Sequence, residues 1–329
     1  MSASAYRLFD VAAAEVSRPS PGFVRVVFTG DDLDRFGFAG LDQRIKLLLP
    51  NSRGVIPALE DGDGWYRSWA ALADEDRPPM RTYTPRALTR AEPDSESPTR
   101  LTVDFARHAA NPGPASAWAE AAQIGDALVI LAPDAGFDGP NTAVGWIPPR
   151  GADRFLIVGD DTALPAIAGI LASLDGAACA RVILEVADRA DAALLDADAM
   201  LKSGRLELQV CERGNAARGA ALVDAVRSLD EVFPGGLATG ESTLAEAMRG
   251  DALLQEIDVD RELLWEVPGL DEATGVPLAD DARRSHGYAW LAGEAGAIKQ
   301  IRRNLVSERG IDRQSVAFMG YWRSGRAEN

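Results

Sequence analysis

The chain has 329 residues, 47% of them hydrophobic and 26% charged, and a formal net charge of −16. That length suits two domains, with the composition of an ordinary soluble globular protein. The acidic field repels polyanions, which argues against nucleic acid and anionic membrane surfaces as partners but does not exclude a small anion in a local basic pocket.

The first half reads as β-rich. Residues 1–10 lack the basic and apolar stretches of a signal peptide. Residues 23–28 (Phe-Val-Arg-Val-Val-Phe) follow the breaker Ser20-Pro21-Gly22 and predict a strand. Residues 44–49 alternate and stop at Pro50. In residues 101–105, Leu101, Val103 and Phe105 fall on one face, with Thr102 and Asp104 on the other. Residues 127–131 form another apolar run, ended by Ala132-Pro133. Short strands with Gly/Pro punctuation predict a small antiparallel β-barrel, interrupted by loops at 59–79 and 91–98.

The pattern changes at Pro148-Pro149-Arg150-Gly151, the candidate linker between domains 1–150 and 151–329. Residues 154–158 read as a buried strand, 163–174 as a helix, and 181–186 and 206–210 as further strands. Strand and helix in alternation predict an α/β domain with a parallel sheet. Helices are expected at 220–230 and 295–309, the latter with Ile298, Ile301 and Leu305 on one face. The acidic, Gly-rich stretch around 236–285 reads as an insertion of short helices and loop. No apolar run approaches the length of a membrane span.

Cys179 and Cys211 form no CxxC pair, which excludes a thiolate-held iron–sulfur cluster. His108 and His286 match no zinc-ligand spacing, so no metal site is expected. A redox group in this chain has to be organic. Both cysteines, and the tryptophans at 65, 69, 146 and 265, read as packing residues.

Three segments carry candidate chemistry. In residues 81–86 (Arg-Thr-Tyr-Thr-Pro-Arg) an arginine, an aromatic and a hydroxyl residue can pair a phosphate, stack on a flat ring and bond its edge. An ordinary strand end with a surface arginine explains the same residues equally well. Gly113-Pro114-Ala115-Ser116 leads into a helix whose amides and Ser cap could receive a pyrophosphate; a capped helix without ligand is the plainer alternative. Gly159-Asp160-Asp161-Thr162-Ala163-Leu164-Pro165 sits where a Rossmann-type loop belongs but has one glycine and no GxGxxG.

Taken in order, these segments resemble the ferredoxin–NADP reductase superfamily, and within it the siderophore-interacting proteins, the FAD-dependent ferric siderophore reductases. Val103-Asp104-Phe105 with His108, Trp118, Trp290-Leu291-Ala292-Gly293-Glu294 and Gly320-Tyr321-Trp322-Arg323 extend the match over most of the chain. The resemblance implies an FAD held by Arg81, Thr82, Tyr83 and Thr84, with Asp104, Phe105, His108, Gly113, Ala115, Ser116 and Trp118 lining the rest. It implies that Asp160, Thr162, Ala163 and Leu164 face the nicotinamide cofactor or the adenine end of FAD. Gly293 and Glu294 would lie near the nicotinamide, and Tyr321 and Trp322 close to the flavin. Lys46 and Arg323 are the candidate contacts to an anionic ferric siderophore, ahead of Lys299 and Arg303.

Two positions depart from the family pattern: Ala132-Pro133 stands for Gly-Pro, and Asp161 for Glu. The implied activity is transfer of electrons from NADH or NADPH through FAD to a ferric siderophore, by a cytoplasmic monomer without membrane insertion. No catalytic side chain is assigned, because the flavin carries the chemistry. A general flavin reductase or diaphorase, and a non-catalytic flavin-carrying siderophore-binding protein, remain as alternatives. The region 185–189 (Glu-Val-Ala-Asp-Arg) holds both an acid and a base and leaves the choice between NADH and NADPH open.

Overall fold

The structure, a computed structural model, describes residues 4–92, 97–108, 112–235, 265–271, 274–278 and 281–325. Contacts divide the chain into two compact units between Val144 and Gly145.

The first unit is a seven-stranded antiparallel sheet. Its elements are β1 (Tyr6–Ser20), β2 (Phe23–Thr29), β3 (Ile45–Leu48), helix α1 (Trp65–Ala70), β4 (Met80–Tyr83), β5 (Pro85–Thr89), β6 (Arg100–Ala106), α2 (Pro114–Ala121) and β7 (Ala127–Pro133). The strand order is β4-β3-β7-β1-β2-β6-β5. The long strand β1, which the sequence pattern did not reveal, pairs with both β2 and β7 and ties the two halves of the sheet.

The two edge strands, β4 and β5, are separated in the chain by Thr84 alone. Seven flat strands would hold those edges roughly 29 Å apart, so the sheet curls until they meet at Thr84. It is a half-barrel closed by chain continuity, not the hydrogen-bonded barrel expected.

Its inner face is a core of Phe9, Val26, Phe28, Leu47, Leu101, Val103, Phe105 and Ile130. The expected alternation in β6 holds for the apolar face, but Asp104 on the other face is also buried. The expected loop at 59–79 contains α1, and Trp69 anchors that segment by donating its indole N–H to the Pro78 carbonyl at 3.0 Å.

The second unit contains β8 (Arg154–Asp160), α3 (Leu164–Ser173), β9 (Cys179–Val186), α4 (Asp198–Lys202), β10 (Leu206–Glu212), α5 (Ala220–Arg227), β11 (Trp265–Glu266), β12 (Gly287–Glu294), α6 (Ala295–Arg303) and β13 (Val316–Trp322). The sheet order is β10-β9-β8-β12-β13-β11. Neighbours pair in parallel except β11, which joins β13 antiparallel and makes the sheet mixed. Leu156, Val158, Leu291 and Phe318 form a core with Leu222 and Val226 of α5 and with Ile298 and Ile301 of α6.

The expected helix at 295–309 ends as α6 at Arg303 and continues as one wide π turn through Glu308, with Leu305 still buried. Of the expected insertion, residues 236–264, 272–273 and 279–280 lie outside the described residues. Trp265, read as an isolated apolar point, belongs to the sheet and stacks on Tyr321 at 6.4 Å. Trp146 is buried between Phe155 and Tyr288, at 5.2 and 5.3 Å.

Phe105 joins the core of the first unit to its ring ladder. Replacing Phe105 with Ala is expected to destabilise that unit by about 3–5 kcal/mol, read as a lowered denaturant midpoint at unchanged m-value.

Candidate functional sites in the two units

In the first unit the candidate residues cluster around β4 and the start of α2. Arg81 and Tyr83 occupy alternate positions of β4, share one face and are each half-buried. The Tyr83 ring packs 4.8 Å from Phe105, Phe105 lies 5.7 Å from Trp118, and Trp118 stacks on Phe28 at 6.0 Å. Phe105 is fully buried, so it backs the Tyr83 ring and does not present itself to a ligand. Ala115 is buried with it, and Trp118 is partly buried against the same core.

Thr82 points away from Arg81 and is exposed. It faces Lys46 across the ladder, and the Lys46 ammonium donates to its hydroxyl at 2.7 Å. Thr84 is buried at the junction of the two edge strands.

Asp104 is paired within the sheet. Its carboxylate accepts two hydrogen bonds from Arg25, at 2.6 and 2.8 Å, and lies 3.9 Å from Arg86. Arg25 is its direct cross-strand partner in β2. The fork-to-carboxylate geometry raises the affinity of Arg25 for its proton. Asp104 thus holds the Arg25 guanidinium and lies beside that of Arg86. Arg25 and Arg86 were given no role in the sequence reading. The isolated arginine in the apolar run 23–28 is the signal that could have found the first.

The expected serine cap is also revised. Gly113 is the cap residue of α2, with Pro114 at its first position. Ser116 lies a turn inside and its hydroxyl accepts the backbone N–H of His108 at 3.2 Å. The first-turn amides of Ala115 and Ser116 have no acceptor within the helix. Half-buried guanidinium and phenol on one strand face, with helix-start amides, form a donor set that fits a flavin dinucleotide. Arg81 and the amides suit its phosphates, and the Tyr83 ring its flat end.

In the second unit the candidate residues meet at the C-terminal ends of β8, β12 and β13. From β8 the strand order runs outward to β9 and β10 on one side and to β12 and β13 on the other, so the switch point, where α/β sheets open a ligand crevice, falls between β8 and β12. Asp160 ends β8 and is buried. One carboxylate oxygen accepts the Thr162 N–H at 3.0 Å and its hydroxyl at 2.5 Å. The other accepts the Glu294 N–H at 2.9 Å and the Trp322 indole N–H at 2.8 Å. Burial first, then the neighbouring Asp161 charge, push the Asp160 carboxyl up to about 6, against the pull of these donors.

Gly293 makes this possible. Its φ is +148°, and a Cβ there would lie 2.7 Å from the Asp160 carboxylate. The β12–β13 register shifts at this glycine, from Gly293 opposite Gly320 to Glu294 opposite Trp322. The bulge brings Trp322 into line with the strand ends. Glu294 caps α6 by accepting the Ala297 N–H at 2.9 Å. Ala163 and Leu164 are fully buried.

Tyr321 is held between Trp265 and Trp290. Arg323 follows it, partly buried. Asp161, buried as well, is 3.3 Å from Arg213 and 3.5 Å from Arg218, and the Arg218 guanidinium lies 5.0 Å over the Trp322 ring. Burial raises the Asp161 carboxyl in spite of both arginines. Neither arginine was singled out from sequence, where nothing marks a loop arginine as the partner of a residue more than fifty positions away.

An antiparallel half-barrel sheet is thus followed in the chain by a mixed sheet whose strand order reverses between β8 and β12. The siderophore-interacting FAD-binding domain family matches residues 12–137, and the siderophore-interacting protein family matches residues 152–325. The chain belongs to the siderophore-interacting protein family and carries its FAD-binding domain. It is similar in structure to a siderophore utilization protein from T. fusca (TM-score 0.62, 26% identity, 98% of this chain and 95% of that one). It is also similar to the siderophore-interacting protein SipS from Aeromonas hydrophila (TM-score 0.61, 26% identity, 98% and 94%). In sequence it is 35% identical over 130 residues to the NADPH-dependent ferric-chelate reductase of Escherichia coli, a match covering 39% of this chain and 45% of that protein. No helix among the described residues is long and apolar enough to cross a membrane.

A carboxyl raised by burial stabilises the fold below its ordinary range near 3.8 and loses that contribution as pH climbs through about 6. Compared with Asp160→Asn, the wild-type chain should lose about 2 kcal/mol of unfolding free energy between roughly pH 4.5 and 7.5, measured by parallel urea titrations.

Proposed function

We propose that this chain is an FAD-dependent reductase that takes electrons from NADH or NADPH and delivers them to a ferric siderophore, releasing Fe(II) for iron assimilation. The observation that carries this reading is one chain holding both a guanidinium-and-phenol face on β4 and a cluster of Asp160, Gly293 and Glu294 at the switch point of the second sheet. The relative in Escherichia coli bears the name of a ferric-chelate reductase, which points the same way.

Bound FAD would supply the chemistry, accepting two electrons as hydride and returning them singly, as Fe(III) requires. The residues of the chain bind and orient. Arg81 neutralises phosphate, Tyr83 offers its ring with Phe105 and Trp118 behind it, and the Thr84 hydroxyl serves the edge of the flat ring system. His108, Gly113 and Ser116 shape the approach to α2. Asp104 holds Arg25 and Arg86 in register.

In the second unit, Asp160, Thr162, Gly293 and Glu294 form the floor for the nicotinamide nucleotide, with Tyr321 and Trp322 at its rim. Lys46 and Arg323 attract the anionic ferric complex locally, against the overall charge of −16. No side chain has to donate or remove a proton, so none is assigned as catalytic. The protein works as a cytoplasmic monomer in this reading.

The purified protein is expected to be yellow, to bleach anaerobically with NADH or NADPH, and to be reoxidised by a ferric hydroxamate while a chelator traps Fe(II). Bleaching without reoxidation by the ferric complex would indicate a flavin reductase or diaphorase with another acceptor. A coloured protein that neither nucleotide bleaches would be a flavin-carrying siderophore-binding protein. A chain that takes up no FAD would sink the assignment.

Arg81→Ala should weaken FAD binding by about 10- to 100-fold, the loss of a charge-assisted phosphate contact. Equilibrium flavin titration measures it, with unchanged far-UV circular dichroism as the folding control.

A further inference from the structure

Trp322 ends β13, two strands away from β8, yet its indole N–H reaches the Asp160 carboxylate at the end of β8 at 2.8 Å. Two strand spacings are roughly 10 Å, so the side chain lies across the end of the intervening strand β12. That is the strand end at the switch point, the lip of the crevice that the reading above places there. The ring is constrained on a second side by the Arg218 guanidinium 5.0 Å above it. Arg218 is in turn fixed by Asp161 at 3.5 Å.

We propose that Asp160 is a positioning residue, a latch whose carboxylate holds the Trp322 indole in one orientation across the lip of this crevice. The crevice's role as the nicotinamide-nucleotide site rests on the reading above; the latch rests on the geometry. The carboxylate is shared among four donors, so its charge sets the strength of the indole bond. Protonation leaves one good acceptor oxygen where there were two, and Trp322 and the Glu294 amide compete for the oxygen that faces them.

The surrounding charges favour such a proton. Asp161 follows Asp160 in the chain, and Glu185, fully buried, is its cross-strand partner in β9. Arg213 and Arg218, from the segment between β10 and α5, are engaged by Asp161, and Arg213 also lies 3.8 Å from Glu185. From β12 the Glu294 carboxylate is turned to the N-terminus of α6 and to the Ser324 N–H. Burial and the Asp161 charge carry the Asp160 carboxyl to about 6 against the pull of the Thr162, Trp322 and Glu294 donors. The latch therefore loosens within about a unit of neutrality.

The test uses the full FAD-loaded chain with ¹⁵N-labelled indoles. The Trp322 indole resonance is the one missing from Trp322→Phe. It is expected to move upfield on acidification, with a midpoint near pH 6. In Asp160→Asn it should be displaced from the wild-type position and independent of pH. A Trp322 resonance that stays fixed between roughly pH 5 and 7.5 in the wild-type chain overturns the latch. So does one that keeps its wild-type position and titration in Asp160→Asn. If that variant fails to fold, the wild-type titration decides alone.

Adding NADP⁺ or NAD⁺ separates the two readings. Nucleotide should shift the Trp322 resonance. Nucleotide that perturbs other indoles but leaves Trp322 untouched removes it from the lip and overturns the proposal. Should neither nucleotide perturb any resonance while Trp322 still titrates, the nicotinamide reading falls and the latch stands.

Discussion

The second unit depends on one buried carboxylate. A parallel sheet leaves the C-terminal ends of its strands unpaired, and each end then diverges into its own loop. Asp160 gathers three of them: its own strand through Thr162, β12 through the Glu294 N–H, and β13 through the Trp322 indole. Four donors on two oxygens repay most of the cost of burying a charge. What they do not repay appears as the raised carboxyl, and that residue of cost gives the site its sensitivity to protons.

The first unit solves a matching problem with the opposite chemistry. Its buried carboxylate, Asp104, is paired to a guanidinium in fork geometry and sits within reach of another. Its work is to order β2, β5 and β6 on the outer face of a sheet whose inner face is aromatic. There, Phe105 transmits the core to Tyr83, and Tyr83 inherits a fixed plane without being buried itself. A flat half-exposed ring on a rigid backing is a preorganised surface for another flat ring. The two units hold their carboxylates differently: Asp104 is paired to a guanidinium, Asp160 to dipoles.

Much of this could be read from the chain alone. Strands with clean alternation or buried runs, such as β2, β6, β8 and β9, fall where composition puts them, and the helical face of Ile298 and Ile301 packs as its spacing requires. What could not be read has physical reasons. Strand β1 alternates weakly because it bridges two halves of a curved sheet and is covered unevenly. Barrel closure depends on whether β4 and β5 pair, and Thr84 joins them so tightly that no ladder forms.

The serine cap was misplaced by three residues, since Gly113 meets the same backbone requirement and leaves Ser116 to receive the His108 amide. At the sites, motif order marked the segments, but not which side chains face a ligand. Phe105, Ala163 and Leu164 sit inside motifs and are buried, while Arg25, Arg213 and Arg218 sit outside them and hold the acidic residues in place.

The three short motifs of the second unit, Gly-Asp-Asp-Thr, Ala-Gly-Glu and Gly-Tyr-Trp-Arg, are separated by about 130 and then about 25 residues in the chain and are one physical object. Gly293 lacks a side chain because a Cβ would strike the Asp160 carboxylate. The bulge at Gly293 puts Trp322 opposite Glu294. Trp322 and the Glu294 N–H then share one Asp160 oxygen, while the Glu294 carboxylate caps α6. Remove any one member and the others lose their reason: a side chain at 293 displaces the carboxylate, a displaced carboxylate releases the indole, and a straight β13 directs Tyr321 where Trp322 now stands. Each motif is weak when taken singly, and the geometry explains why they have to occur together and in this order.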